Sequence, residues 1–157
     1  MYSVNAGVPK TLIRYLVRHF AEVSEDAELS EVLKDIVDTP VSPELLPAKN
    51  GEMVQKTEDL VGPYELHDFF LYYMLRFGYS PSKIYRIALL TFEGVYDAET
   101  VKKWLKNYYR RFFSQQFKRS ALPDGPKVGS VGLSPRGDLR MPSDASSKIW
   151  LDEVEKL

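Results

Sequence analysis

The chain contains no cysteine. That absence removes disulfides, a thiolate nucleophile and any cysteine-ligated metal site in one step. Histidine is nearly as scarce. His19 and His67 are the only two, and neither has a second histidine four residues on, so no helical metal pair can form. His67, between Leu66 and Asp68, reads as a structural hydrogen-bonding residue rather than a base. No apolar run reaches the roughly 18 residues of a membrane span, and no secretory leader is recognisable at the start. There is no Ser/His/Asp order, no glycine-rich phosphate loop, no paired-carboxylate spacing and no convincing strand alternation. No catalytic residue and no metal ligand are therefore nominated. The expectation is a soluble, cytoplasmic protein that engages neither membrane nor nucleic acid.

Among what is present, the 157 residues predict one domain with room for a core, and 44% hydrophobic and 27% charged residues are ordinary for such a domain. The net charge of −1 hides an asymmetry. Acids crowd residues 22–68, whereas the later part of the chain is basic. A local anion site is compatible with this, but a charge-driven nucleic-acid binder is not.

Helical periodicity recurs along the chain. Pro9 suits a first helical position, and Leu12, Ile13, Leu16, Val17 and Phe20 follow at helical spacing, predicting a helix over 9–23. Ser24, Glu25 and Asp26 can cap a second helix carrying Leu29, Val32, Leu33 and Ile36 and ending before Pro40. Residues 39–63 form a long connection with three closely spaced prolines. A third helix opens at Gly62-Pro63 and stops at Gly78; a fourth is capped by Ser80 and stops at Gly94. Asp97 then caps a long helix whose body, VKKWLKNYYRRFFSQQFKR over 101–119, carries seven Lys or Arg, six aromatics and no acid. Val101, Leu105, Tyr108 and Phe112 share one face, and Tyr109, Phe113 and Phe117 widen it. Residues 120–147 are rich in Gly, Pro and Ser and normally read as linker. Within them Lys127, Arg136, Asp138 and Arg140 lie among glycines that permit close backbone approach. A short helix over 147–157 closes the chain. Five helices joined by turns, before that tail, predict a mainly α fold.

Two readings of the long helix stand side by side. Arg110, Arg111, Lys118 and Arg119 could hold phosphates while aromatics stack on a base; alternatively the aromatics are core and the cations a solvated flank. Lys10 and Thr11, at a helix start where free amides favour an anion, could meet a phosphate or simply be solvated. Glu58, Asp59, Glu65 and Asp68 suit caps and surface ion pairs better than magnesium.

Five strings then carry a resemblance: MYSVNAGVPKTLIRYLV (1–17), PVSPELLP (40–47), QKTEDLVGPYELHDFFLYY (55–73), RRFFSQQFKRSALPDGPKVGSV (110–131) and LSPRGDLRMPSDA (133–145). In these, and in their order, the chain resembles the C-terminal part of bacterial glutamine-dependent NAD synthetase. The resemblance implies a helical portion (1–121) of an α/β adenine-nucleotide-binding domain of the pyrophosphate-loop ATPase type, its sheet absent here, followed by a tail (122–157). It implies a carbon–nitrogen ligase that activates deamido-NAD with Mg-ATP as an adenylate and amidates it with glutamine-derived ammonia, working as a homo-oligomer. Lys10 and Ser42 match residues that contact ATP; Phe117 and Lys118 match the pair that approaches deamido-NAD. The family's pyrophosphate loop, magnesium-binding acids and amidase domain have no counterpart in this sequence. The chain is therefore expected to be a segment whose partners are the rest of its own synthetase and amidase domains, and to be inactive alone. The alternative is a stand-alone α-helical module for RNA, another polyanion or a protein partner.

Overall fold

A computed structural model describes residues 4–39, 61–130 and 132–157. Among them the regular structure is helical, with no strand, as the periodicity predicts. The helices are α1 (Lys10–Val23), α2 (Ala27–Asp38), α3 (Tyr64–Phe77), α4 (Pro81–Thr91), α5 (Ala98–Ser114), α6 (Gln116–Ala121) and α7 (Lys148–Glu155). The chain divides into two compact units, Pro9–Tyr64 on the one hand and Met1–Val8 with Glu65–Leu157 on the other.

The first unit contains a helical hairpin. Asp26 caps α2, its carboxylate accepting from the amides of Glu28 at 3.0 Å and Leu29 at 3.1 Å, which satisfies two of the four donors a helix start leaves free. The helices meet through a narrow seam that buries Ala21 and Val37. The Ser30 hydroxyl donates to the Ala21 carbonyl at 2.7 Å, and Arg14 Nη2 to the Val37 carbonyl at 3.4 Å. Small residues let the backbones approach but leave the larger apolar side chains outside. Leu12, Leu16, Phe20, Leu29, Val32 and Ile36 are all exposed, although their spacing marks them as a buried stripe.

The second unit holds the core. Leu66 and Phe70 of α3, Ile84 and Ala88 of α4, and Val154 of α7 close around Val101, Leu105, Tyr108, Tyr109, Phe112 and Phe113 of α5. Burying each such large side chain contributes about 1.5–3 kcal/mol before chain entropy is counted. Gly78 adopts φ +63°, which only glycine tolerates freely, and turns the amides of Gly78 and Tyr79 back to the carbonyls of Met74 and Tyr73. Asp97 caps α5, its carboxylate accepting from the Thr100 amide at 2.7 Å. These hydrogen bonds hold the Asp97 carboxyl below its ordinary range.

Two expectations are revised. Ser80 makes no side-chain cap on α4. Glu153 of α7 serves instead, its Oε1 accepting from the Ser82 amide at 2.9 Å and the Ser82 hydroxyl at 2.5 Å. The long helix is also not continuous to Arg119. It breaks at Gln115 (φ −101°, ψ 12°), where α5 ends and α6 begins. Gln116, four residues beyond Phe112, then continues the buried face with no exposed surface, and Phe117 turns outward, 56% exposed. The aromatic band therefore stops at Phe113.

Candidate functional site

The bland reading of the α5 aromatics prevails. Tyr108, Tyr109, Phe112 and Phe113 are buried in the core, and Phe113 packs on Trp150 with ring centroids 4.6 Å apart. Arg110 is engaged with the Asn107 side chain at 2.9 Å. What α5 delivers to the surface is its continuation, the short helix α6.

Three side chains organise α6 from below. Gln116 is buried yet paired on both sides: its Nε2 donates to the Met141 carbonyl at 3.4 Å, and its Oε1 accepts from Arg119 Nε at 2.7 Å. Arg119 also donates through Nη2 to the Phe112 carbonyl, and its guanidinium lies over the Phe112 ring, 4.2 Å from the centroid. Burial pushes the Arg119 pKa down, though an arginine this well supplied with acceptors stays charged. Ser120 donates to the Gln116 carbonyl at 3.2 Å. With these inner residues engaged, Phe117 and Lys118 are left side by side on the exposed face of α6. Lys118 shows no side-chain partner among the described residues.

Beside α6 lies an open cavity of about 290 Å³, lined by Ala6, Gly7 and Arg119 together with parts of 122–127 and 132–138. Besides Arg119, already engaged with Gln116 and the Phe112 carbonyl, its two cations are neutralised by carboxylates. Arg136 pairs with Asp124 at 2.9 Å, and Lys127 with Asp138. The Arg136 and Ser134 hydrogen bonds hold the Asp124 carboxyl below its usual range, and the Lys127 contact does the same for Asp138. The Asp138 carboxylate sits against Gly132, where an added Cβ would meet Oδ2 at 2.8 Å. Charges arranged in this way brace a loop; they do not wait for a phosphate. The spacing of Lys127, Arg136 and Asp138 among glycines was legible in the sequence. Asp124, the counter-ion that decides what Arg136 does, was not singled out there.

Of the residues the resemblance implies, Phe117 and Lys118 are adjacent on α6. Lys10 lies in the other unit, exposed in the first turn of α1, its Nζ 5.1 Å from the centroid of the Tyr64 ring. Ser42 lies outside the described residues. Among the described residues no three His, Cys, Asp or Glu gather as metal ligands would, and no helix is long and apolar enough to cross a membrane.

No family model matches the chain. Its sequence does match a class of considerably longer proteins, of which it spans about a quarter of the length. These are glutamine-dependent NAD(+) synthetases. The chain is 44% identical to that of Mycobacterium leprae over an alignment 177 positions long, gaps included, and 45% identical to those of Mycobacterium bovis and Mycobacterium tuberculosis, in each case over 99% of this chain and 26% of the relative. The resemblance read from the five strings is thus borne out along essentially the whole chain.

Proposed function

We propose that this chain is a C-terminal segment of a glutamine-dependent NAD synthetase, a carbon–nitrogen ligase that amidates deamido-NAD to NAD at the expense of ATP. The observation that carries the reading is the 44–45% identity over 99% of the chain. In the intact enzyme these helices would form the helical portion of an α/β nucleotide-binding domain, completed by the synthetase sheet and an amidase domain that frees ammonia from glutamine. Residues 1–121 and the tail 122–157 would both belong to that domain. The pyrophosphate loop and the acids that hold magnesium would be supplied by residues this chain does not contain, so the chain alone should not make NAD.

Within that enzyme Phe117 and Lys118 would meet deamido-NAD. The fit rests on an apolar ring 56% exposed at the edge of a core, next to an ammonium with no side-chain partner among the described residues. A dinucleotide offers both complements, a flat heterocycle for the ring and a pyrophosphate for the point charge. Lys10 and Ser42 would contact ATP. The stand-alone RNA module is disfavoured, because the aromatics it would use for stacking are interior and the net charge is −1.

The test is NAD formation by the intact enzyme carrying these residues. Loss of one charge-assisted contact of about 1.5–3 kcal/mol predicts that Lys118→Ala lowers kcat/KM for deamido-NAD about 10- to 100-fold. An unchanged specificity constant for deamido-NAD would reject the assignment of Lys118.

A further inference from the structure

We propose that Arg136 is a positioning residue for the dinucleotide site: it fastens the loop that follows α6 onto the C-terminal end of α6 and so holds Phe117 and Lys118 in place. The inference rests on the reading of Phe117 and Lys118 given above and adds to it a residue that touches no substrate.

The argument begins with the length of α6. Six residues make a helix too short to persist by itself, and its last carbonyls have no partner within it. The Leu122 amide serves the Arg119 carbonyl at 3.4 Å, and Arg136 serves one further carbonyl of the helix and that of the residue just past it. Arg136 Nη1 donates to the Ser120 carbonyl at 3.2 Å, and its Nη2 donates to the Leu122 carbonyl. A cation at a helix C-terminus is also favoured by the helix dipole. The same guanidinium places Nε 2.9 Å from both oxygens of Asp124. The Ser134 hydroxyl donates to Asp124 at 2.7 Å and accepts from the Arg136 amide at 3.3 Å. One planar fork therefore ties the end of α6, the turn at Asp124 and the turn at Ser134 into a single knot. From the same last turn of α6, Arg119 reaches back to the Phe112 carbonyl of α5, so the helix that presents Phe117 and Lys118 is tied both to α5 and to the loop that follows.

The chemistry favours a brace over an anion site. Arg136 has its Asp124 counter-ion and two carbonyls, which leaves little capacity for a phosphate. The ion pair is roughly half exposed on both sides, so its contribution to overall stability is small. Its value lies in geometry. A lysine keeps the charge but cannot reach four acceptors in one plane.

The experiment uses the intact synthetase carrying these residues, with steady-state kinetics for deamido-NAD and ATP and a thermal melt for each variant. Arg136→Ala and Arg136→Lys are both expected to raise KM for deamido-NAD about tenfold, with kcat and the KM for ATP changing less than about twofold and the melting temperature nearly unchanged. Asp124→Asn, which leaves the two carbonyl bonds in place, should act in the same direction but less strongly. Full rescue by Arg136→Lys, or an unchanged KM for deamido-NAD in Arg136→Ala while Lys118→Ala is impaired, overturns the role of Arg136. If Arg136→Ala is too unstable to assay, Asp124→Asn decides: a wild-type KM overturns the role. A silent Lys118→Ala, or a wild-type enzyme that does not turn over deamido-NAD, overturns the parent reading and this inference together.

Discussion

Replacing Tyr109 by phenylalanine should make the protein more stable. Tyr109 is fully buried at the centre of the core, and its hydroxyl has no hydrogen-bond partner among the described residues. An unpaired buried hydroxyl costs about 1–3 kcal/mol relative to water. Phenylalanine removes that cost and keeps the ring, including the edge contact with Tyr108 at 5.2 Å between centroids. Allowing for the small void left by one oxygen, the net gain should be about 1 kcal/mol at pH 7, or a rise of about 2–4 °C in Tm for a chain of this size. The pH dependence gives a second handle. Burial, and then the negative charge of Glu153, push the Tyr109 pKa up. An acid whose folded pKa is raised contributes stability below its unfolded value near 10. That contribution is lost as the pH climbs from there toward the folded value, because the unfolded chain can ionise and the native chain cannot. The advantage of Tyr109→Phe should therefore widen by about 1.4 kcal/mol per pH unit above pH 10. Urea titrations of both proteins at pH 7, 10 and 10.5 measure this directly. If Tyr109→Phe destabilises by more than about 1 kcal/mol at pH 7, the hydroxyl is satisfied in solution and the reasoning fails.

Further predictions follow from other contacts. Glu153→Gln should weaken the clasp between α7 and α4 by about 0.5–1 kcal/mol after solvent screening. Burial alone would raise the Glu153 pKa, but the Ser82 hydroxyl and amide outweigh it and the net shift is downward. Wild type should thus keep its advantage above pH 4.5 and lose it as the pH falls through the folded value; an advantage that grows as the pH falls below 4.5 would refute the assignment. Gly94 has φ +76° with open space around the position of a Cβ, so Gly94→Ala should cost about 1–2 kcal/mol through backbone strain alone. Gly129, equally open and without a positive φ, should accept alanine within about 0.5 kcal/mol in the same chemical melt. The apolar residues outside the α1–α2 seam should drive self-association of the chain at micromolar concentration, and Leu16→Glu with Phe20→Glu should reverse it. A single monomeric species of the unmodified chain by light scattering would count against that expectation.

Much of the fold could be read ahead of the structure because its signals are local. Asp26 and Asp97 announce helix starts through one side chain and the next few amides, and Gly78 announces a stop through its own φ. The features that escaped depend on residues far apart in sequence. Ser80 has the composition of a cap, yet α4 is capped by Glu153, 71 residues after Ser82. Glutamine is a good helix former, so nothing local marks Gln115 as a break or Gln116 as interior. Both become intelligible only with Arg119 and Met141 in place. Periodicity alone therefore assigned Phe117 to the buried band. In the hairpin, Leu12, Leu16 and Phe20 have the right spacing for a core, but the seam closes on Ala21 and Val37, and spacing cannot say which of two apolar stripes wins. The candidate site divided the same way: Phe117 and Lys118 were proposed from resemblance, whereas the knot around Arg136 needed Asp124, twelve residues away.

The way α7 closes the core has a consequence for synthesis. Val154 is entirely enclosed and Trp150 covers Phe113, while the clasp that fixes α7 draws on Glu153. A ribosome makes the α5 aromatics about forty residues before it makes these partners, at about 5–20 residues per second. Until α7 is complete and docked, Phe113 lacks the wall that shelters it. Released chains that stop shortly before residue 148 should accordingly be the ones that chaperones bind and proteases cut.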